Sequence, residues 1–192
     1  MNFGVYGPNS GRVVNAQLKV LIADITLTNS GSFESIPIPG GFDSLEVTAS
    51  VRSTASGTND ATRLFYNGDY TESNYRGQYW NASGSSVGTG AGDWAFAFEC
   101  TAASSIAGYF STSHVFIPNH QRAGVYRGRY STSHIREDAT VGRNQITGNY
   151  WESTEPITSI TVRTDNHPTD LFASGSRLQV FGLGTFAIAL AR

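Results

Sequence analysis

Leu45-Glu46-Val47-Thr48-Ala49-Ser50-Val51-Arg52 alternates apolar and polar side chains without a break. An extended backbone turns successive side chains to opposite faces. The stretch therefore reads as a strand with Leu45, Val47, Ala49 and Val51 in a core and the other four toward water. Working outward, Trp94, Phe96, Phe98 and Cys100 repeat the pattern with larger side chains, and Ala95, Ala97 and Glu99 are expected to face away. Ile25 and Leu27 alternate with Thr26 and Thr28, and Ile160 with Val162 and Leu178 with Val180 mark two further strands. The run Thr185 to Ala191 is too short to cross a bilayer and reads as a last buried strand.

Turn-forming residues separate these runs. Pro37-Ile38-Pro39-Gly40-Gly41 precedes the Leu45 strand, Ser56 to Asp60 follows it, and Asn67-Gly68-Asp69 is a tight turn. Gly84 to Gly92 reads as a long flexible loop, and no window of a dozen residues keeps a helical period with caps. The expectation is an all-β protein, an antiparallel jelly-roll-like sandwich with an N-terminal arm. The arm spans 1–18 and the sandwich domain 19–192.

Composition agrees with one domain. At 192 residues the chain can bury roughly 70% of its unfolded surface, so neither disulfides nor metals are needed to hold it. A net charge of −2 gives no electrostatic footprint for nucleic acid. Cys100 is the only cysteine and reads as a small buried hydrophobe. Nothing at the start has the basic region and apolar core of a targeting signal, and no run of 18 apolar residues suggests a membrane span. Twelve of the thirteen basic residues are arginine, which suits interface chemistry or reflects a GC-rich genome.

Motifs that carry chemistry are sparse. His114, His120, His134 and His167 form no metal-ligand spacing, although His114 and His134 can meet across paired strands. No nucleophile elbow or phosphate loop is present, and Gly88 to Gly92 lacks the lysine and helix that cradle a phosphate. Asp93 and Glu99 share strand parity, the nearest thing to a carboxylate pair; Glu99 is expected to face solvent. The expectation is a non-enzymatic protein with no cofactor and no metal. Tyr66, Tyr70, Tyr75, Tyr79 and Trp80 crowd one polar segment, which fits strand packing, a subunit interface or a glycan platform.

Two loose internal pairs stand out. Phe110 to Val115 echoes Tyr130 to Ile135, and Tyr75 to Tyr79 echoes Tyr126 to Tyr130. Two pairs do not make a solenoid; similar strand surfaces account for them.

The C-terminal third is more specific. Glu155-Pro156-Ile157-Thr158-Ser159-Ile160-Thr161-Val162 is followed by Leu171-Phe172-Ala173-Ser174-Gly175-Ser176-Arg177-Leu178-Gln179-Val180-Phe181-Gly182-Leu183. With Phe42 to Ser53 and Leu64-Phe65-Tyr66-Asn67-Gly68-Asp69, this order of markers resembles small jelly-roll virion proteins of tailed bacteriophages. Phe181 stands where that pattern often has Tyr, and the chain continues past Leu183 with an apolar tail. Independently of the resemblance, Gly175 permits a positive φ before the last strand and Arg177 can anchor a carboxylate.

The resemblance implies a virion structural protein, most of all a trimeric capsid cement or decoration protein. It would sit on the outer capsid surface and be made in the host cytoplasm. Its partners would be itself, as a homotrimer, and the major capsid protein or other virion proteins, with no nucleic acid and no membrane. The alternative is a tail-fibre or tail-tip protein binding a receptor or host surface glycan. Candidate contact residues are Phe3, Tyr6 and Arg12 in the arm, and Tyr70, Tyr75, Tyr79 and Trp80. An arm of eighteen residues reaches on the order of 60 Å when extended.

Overall fold

A computed structural model describes residues 13–138 and 140–189. Twelve strands run in order: β1 Val13–Thr26, β2 Phe33–Pro37, β3 Ser44–Val51, β4 Asn59–Tyr66, β5 Tyr75–Ser83, β6 Ser86–Gly92, β7 Phe96–Thr101, β8 Ser111–Pro118, β9 Arg127–Arg136, β10 Gly142–Trp151, β11 Ser159–Thr164 and β12 Arg177–Ala189. A single 3-10 turn at Glu72–Asn74 leads into β5. Eight strands form one antiparallel sheet in the order β1-β12-β3-β8-β9-β10-β5-β6, and four form the second, β2-β11-β4-β7. The two pack as a sandwich.

The strand on which the sequence argument rests behaves as its alternation dictates. β3 buries Leu45, Val47, Ala49 and Val51 and turns the intervening residues to the outer face. Its inward side chains join Phe33, Leu64, Tyr66, Tyr75, Phe98, Val115, Ile117, Trp151, Ile160, Phe172 and Val180 in one core. Gly175 takes φ 88° at the entry to β12. Two residues on, Arg177 donates from Nε and Nη2 to the two oxygens of Asp24 at 2.7 and 2.5 Å.

Three expectations need correcting. Gly84–Gly92 is not a loop: Ser86–Gly92 is β6, paired with β5 from Ser83↔Ser86 to Gly77↔Gly92. Glycine is required there because a Cβ on Gly90 would stand 2.6 Å from the Tyr79 ring, which lies across that strand. Second, the Trp94–Cys100 alternation is broken. Thr62 pairs with Phe98 and Arg63 with Phe96, so Ala97 is an extra residue in a bulge. Phe98 and Cys100 enter the core, while Phe96 lies under Arg63 and edge-on to Tyr79 and Trp94. Ala95 and Ala97 are buried rather than facing away. Third, residues 13–18 of the expected arm are strand, paired with β12 from Val13↔Ala189 to Leu18↔Gly184.

Inside the sandwich, β9 and β10 invert the usual pattern. Arg127, Arg129, Ser131 and Ser133 of β9 and Gln145, Thr147 and Asn149 of β10 point inward and are buried. Much of this polar stripe serves β7, which among the described strands pairs only with β4, apart from a single bridge from Thr101 to Arg52. Arg129 donates to the carbonyls of Ala95 and Phe96, at 2.7 and 3.2 Å, and to that of Leu64. Ser131 donates to the Ala97 carbonyl, Gln145 accepts from the Glu99 N–H, and Asn149 donates to the Trp94 carbonyl. Side chains of the large sheet thus take the place of a missing neighbour strand and meet backbone groups that burial would otherwise leave unpaired.

Candidate functional site

With polar residues turned inward on β9 and β10, the apolar ones stand outside. Tyr130, Ile146 and Tyr150 are exposed on the outer face, as is Trp80 of β5. Cross-strand register sets the order of side chains on that face. One row runs across all eight strands: Asp24, Gln179, Thr48, His114, Thr132, Ile146, Trp80 and Thr89. The neighbouring row is Phe181, Glu46, Phe116, Tyr130, Gly148, Gln78 and Ala91.

Gly148 leaves a gap in that second row. Along its strand it is flanked by Ile146 and Tyr150, and across the strands by Tyr130 and Gln78. Gly128 sits opposite Tyr150, so the floor is bare at two neighbouring points. The result is a trough of about 1120 Å³ lined by Trp80, Ile146, Tyr150, Gln78, Arg76 and Asp93 with the glycines at its base. Tyr126 extends the wall, stacked on Tyr150 at 6.1 Å and 11°. Arg76 pairs with both Asp93 and Glu152. Those three groups add up to a slightly acidic trough end with no free cation.

The other half of the face is polar. A smaller basin of about 500 Å³ is lined by Thr48, Ser50, Thr112, Thr132, Gln179 and both strand histidines. His114 and His134 are not opposite each other across the paired strands but diagonal, because Thr112 is opposite His134 and His114 opposite Thr132. Each has its own partner: His134 Nδ1 lies 2.8 Å from Asn144 Oδ1 and His114 Nε2 3.4 Å from Glu46. Among the described residues no group of three His, Cys, Asp or Glu side chains stands together to hold a metal.

A second surface lies at the β1 edge. Four strands cannot cover eight, and β1 overhangs the small sheet. Leu18 and Val20 lie opposite Gly184 and Gly182 and are 42% and 40% exposed, while Leu21 is 51% exposed. β12 pairs with β3 only as far as Leu183, so beyond that point β1 and β12 continue as a two-stranded ribbon. Among the described residues, no strand lies beside the outer edge of β1.

The contact candidates separate. Phe3, Tyr6 and Arg12, with the rest of residues 1–12, lie outside the described residues. Tyr75 is no surface residue: it is fully buried, accepts from the Tyr66 N–H, donates to the Asp69 carbonyl and stacks near Trp151. Tyr79 points inward against Trp94 and Phe96. Tyr70 is 43% exposed, edge-on to Phe65 and beneath the Arg163 guanidinium. Of the four, Trp80 stands exposed in the trough, and Tyr79 contributes to its lining from the side facing Gly90. Tyr126, Tyr130, Ile146 and Tyr150 escape sequence reading because apolar-outward alternation is the reverse of the rule by which a core is sought. The carboxylates Asp93 and Glu99 are separately neutralised, Asp93 by Arg76 and Glu99 by Arg143 at 2.9 Å. Glu99 is part-buried rather than solvent-facing, and burial raises its carboxyl above the usual range despite Arg143.

The chain matches no family model, no curated protein and no solved structure.

Proposed function

We propose that the protein is a virion structural protein of the tailed-phage type, a self-associating cement or decoration subunit on the outer capsid surface. The observation that carries the reading is the β1 edge, where Leu18, Val20 and Leu21 are exposed on a strand that, among the described residues, has β12 on one side and no strand on the other. A free, apolar edge is a standing template for association, and monomeric proteins blunt such edges with charge, proline or cover. Here Lys19 is drawn back to Glu46 and over the Phe181 ring, which leaves the apolar residues uncovered. A two-stranded ribbon in water is also marginal by itself and gains from a neighbouring surface. The ordered markers from Phe42 to Leu183 supply the virion part of the reading.

Symmetry constrains the contact. Antiparallel pairing of β1 with another β1 is isologous and gives a two-fold dimer, whereas a trimer needs β1 to meet a different surface of its neighbour. Trimeric valency lets a cement subunit grip several capsid proteins without any one strong contact. The test is reconstruction of purified particles of the phage that encodes this chain. The reading predicts density of this fold at threefold or local threefold positions on the capsid. Density only in the tail, or absence of the chain from purified particles, overturns it.

A further inference from the structure

We propose that the outer-face trough around Gly148 binds a neutral oligosaccharide. A pyranose offers an apolar C–H face and a rim of hydroxyls, and recognising it takes an exposed aromatic ring with hydrogen-bonding groups beside it. The trough provides both. Trp80 and Tyr150 are its aromatic stations, and Gln78, Thr89, Arg76 and Asp93 are the polar groups along the same rows. Tyr150 is opposite Arg76, four residues from Trp80 along the strand, which sets the two rings roughly 14 Å apart. That span suits several linked sugar rings rather than one.

The floor supports the same occupant. A Cβ on Gly148 would meet nothing within 4 Å, so glycine there is not required by packing. Its effect is to keep a side-chain-sized opening between Tyr130, Ile146 and Tyr150. Charge selects among ligands. The ionisable groups of the trough are Arg76, Asp93 and Glu152, one cation engaged by two carboxylates, and the Arg129 guanidinium is turned into the interior. A phosphate, an acidic peptide or a nucleic acid would find no free cation and a slightly repulsive field. The inference is independent of the β1 edge and of where the protein sits on a particle.

The experiment probes the full chain with arrayed neutral oligomers of glucose, galactose, mannose and N-acetylglucosamine. Titration of each binding series is then followed by tryptophan fluorescence. The variants are Trp80→Ala, Tyr150→Ala and Gly148→Leu, the last filling the opening from a Cβ position that meets nothing within 4 Å. At least one neutral series should bind, and each folded variant should weaken it by about tenfold or more with an unchanged melting temperature. Binding by none of the series, binding only of anionic glycans, or affinity unaltered in the folded variants overturns the proposal. So does a changed oligomeric mass in the Trp80 and Gly148 variants, which would make the trough a contact between copies.

Discussion

His120 is fully buried at the turn between β8 and β9, where its carbonyl accepts from Ile157 N–H and from Arg127 Nε. Burial first, and then the nearby Arg127 guanidinium, push its imidazole down to about 4, against a partial opposing pull from Asp43. In the unfolded chain the same ring titrates near 6.5. Between those values the unfolded state binds the extra proton, so stability is full above about 6.5 and falls as pH drops toward 4. The depression corresponds to roughly 3 kcal/mol. Replacing the ring by His120→Gln should flatten this window, which urea melts at pH 7, 5 and 4 will show. Equal losses in the variant and the parent protein would sink the assignment. At lower pH a second group takes over. Burial raises the Asp69 carboxyl, but hydrogen bonds from Trp151, Asn74 and Thr71 outweigh it and hold the group below its usual range. Its contribution is therefore lost as pH falls through that lowered value.

At the level of elements, β7 depends on side chains rather than on a second neighbour. Arg129 reaches four acceptors from one planar fork: the carbonyls of Leu64, Ala95 and Phe96 and the Asn149 side chain. The guanidinium also lies against the Tyr66 and Tyr75 rings at 5.3 and 5.7 Å. Arg129→Ala should cost roughly 3 kcal/mol or more, since buried carbonyls lose a charged donor. Arg129→Lys should rescue little, because an ammonium cannot span those acceptors. A lysine variant melting with the parent protein would show that charge alone suffices. The same elements explain what was legible in the sequence. β3 could be read because one face meets the core and the other meets water. β7 was misread because a single bulged residue, Ala97, reverses parity midway, and no residue type announces a bulge. β6 looked like a loop because its glycines serve the Tyr79 ring and the Asn81 side chain, contacts that only pairing creates. The trough was hidden for a related reason: its aromatics come from β5 and β10 and from the segment before β9, and only register brings them together.

For the whole molecule, the unequal sheets are the consequential feature. Eight strands against four leave β1 overhanging; the exposure of Leu18 and Val20 follows from that mismatch, while Leu21, opposite Phe181, adds an exposed apolar residue on the outer face of the same edge strand. Association would remove this apolar surface from water at roughly 25 cal/mol per Å² before the cost of ordering is subtracted. The exposed edge argues for self-association through burial alone, and self-association is what the proposed virion role requires. The central claim, self-association through β1, is tested most directly by light-scattering mass of the full chain at micromolar concentration, alongside Leu21→Glu. A 20.6 kDa chain assembled as a trimer has a mass of about 62 kDa. The account predicts that mass for the parent protein and a shift toward monomer for Leu21→Glu with the fold retained. A parent protein that stays at 20.6 kDa, or a trimer that Leu21→Glu leaves intact, would contradict it.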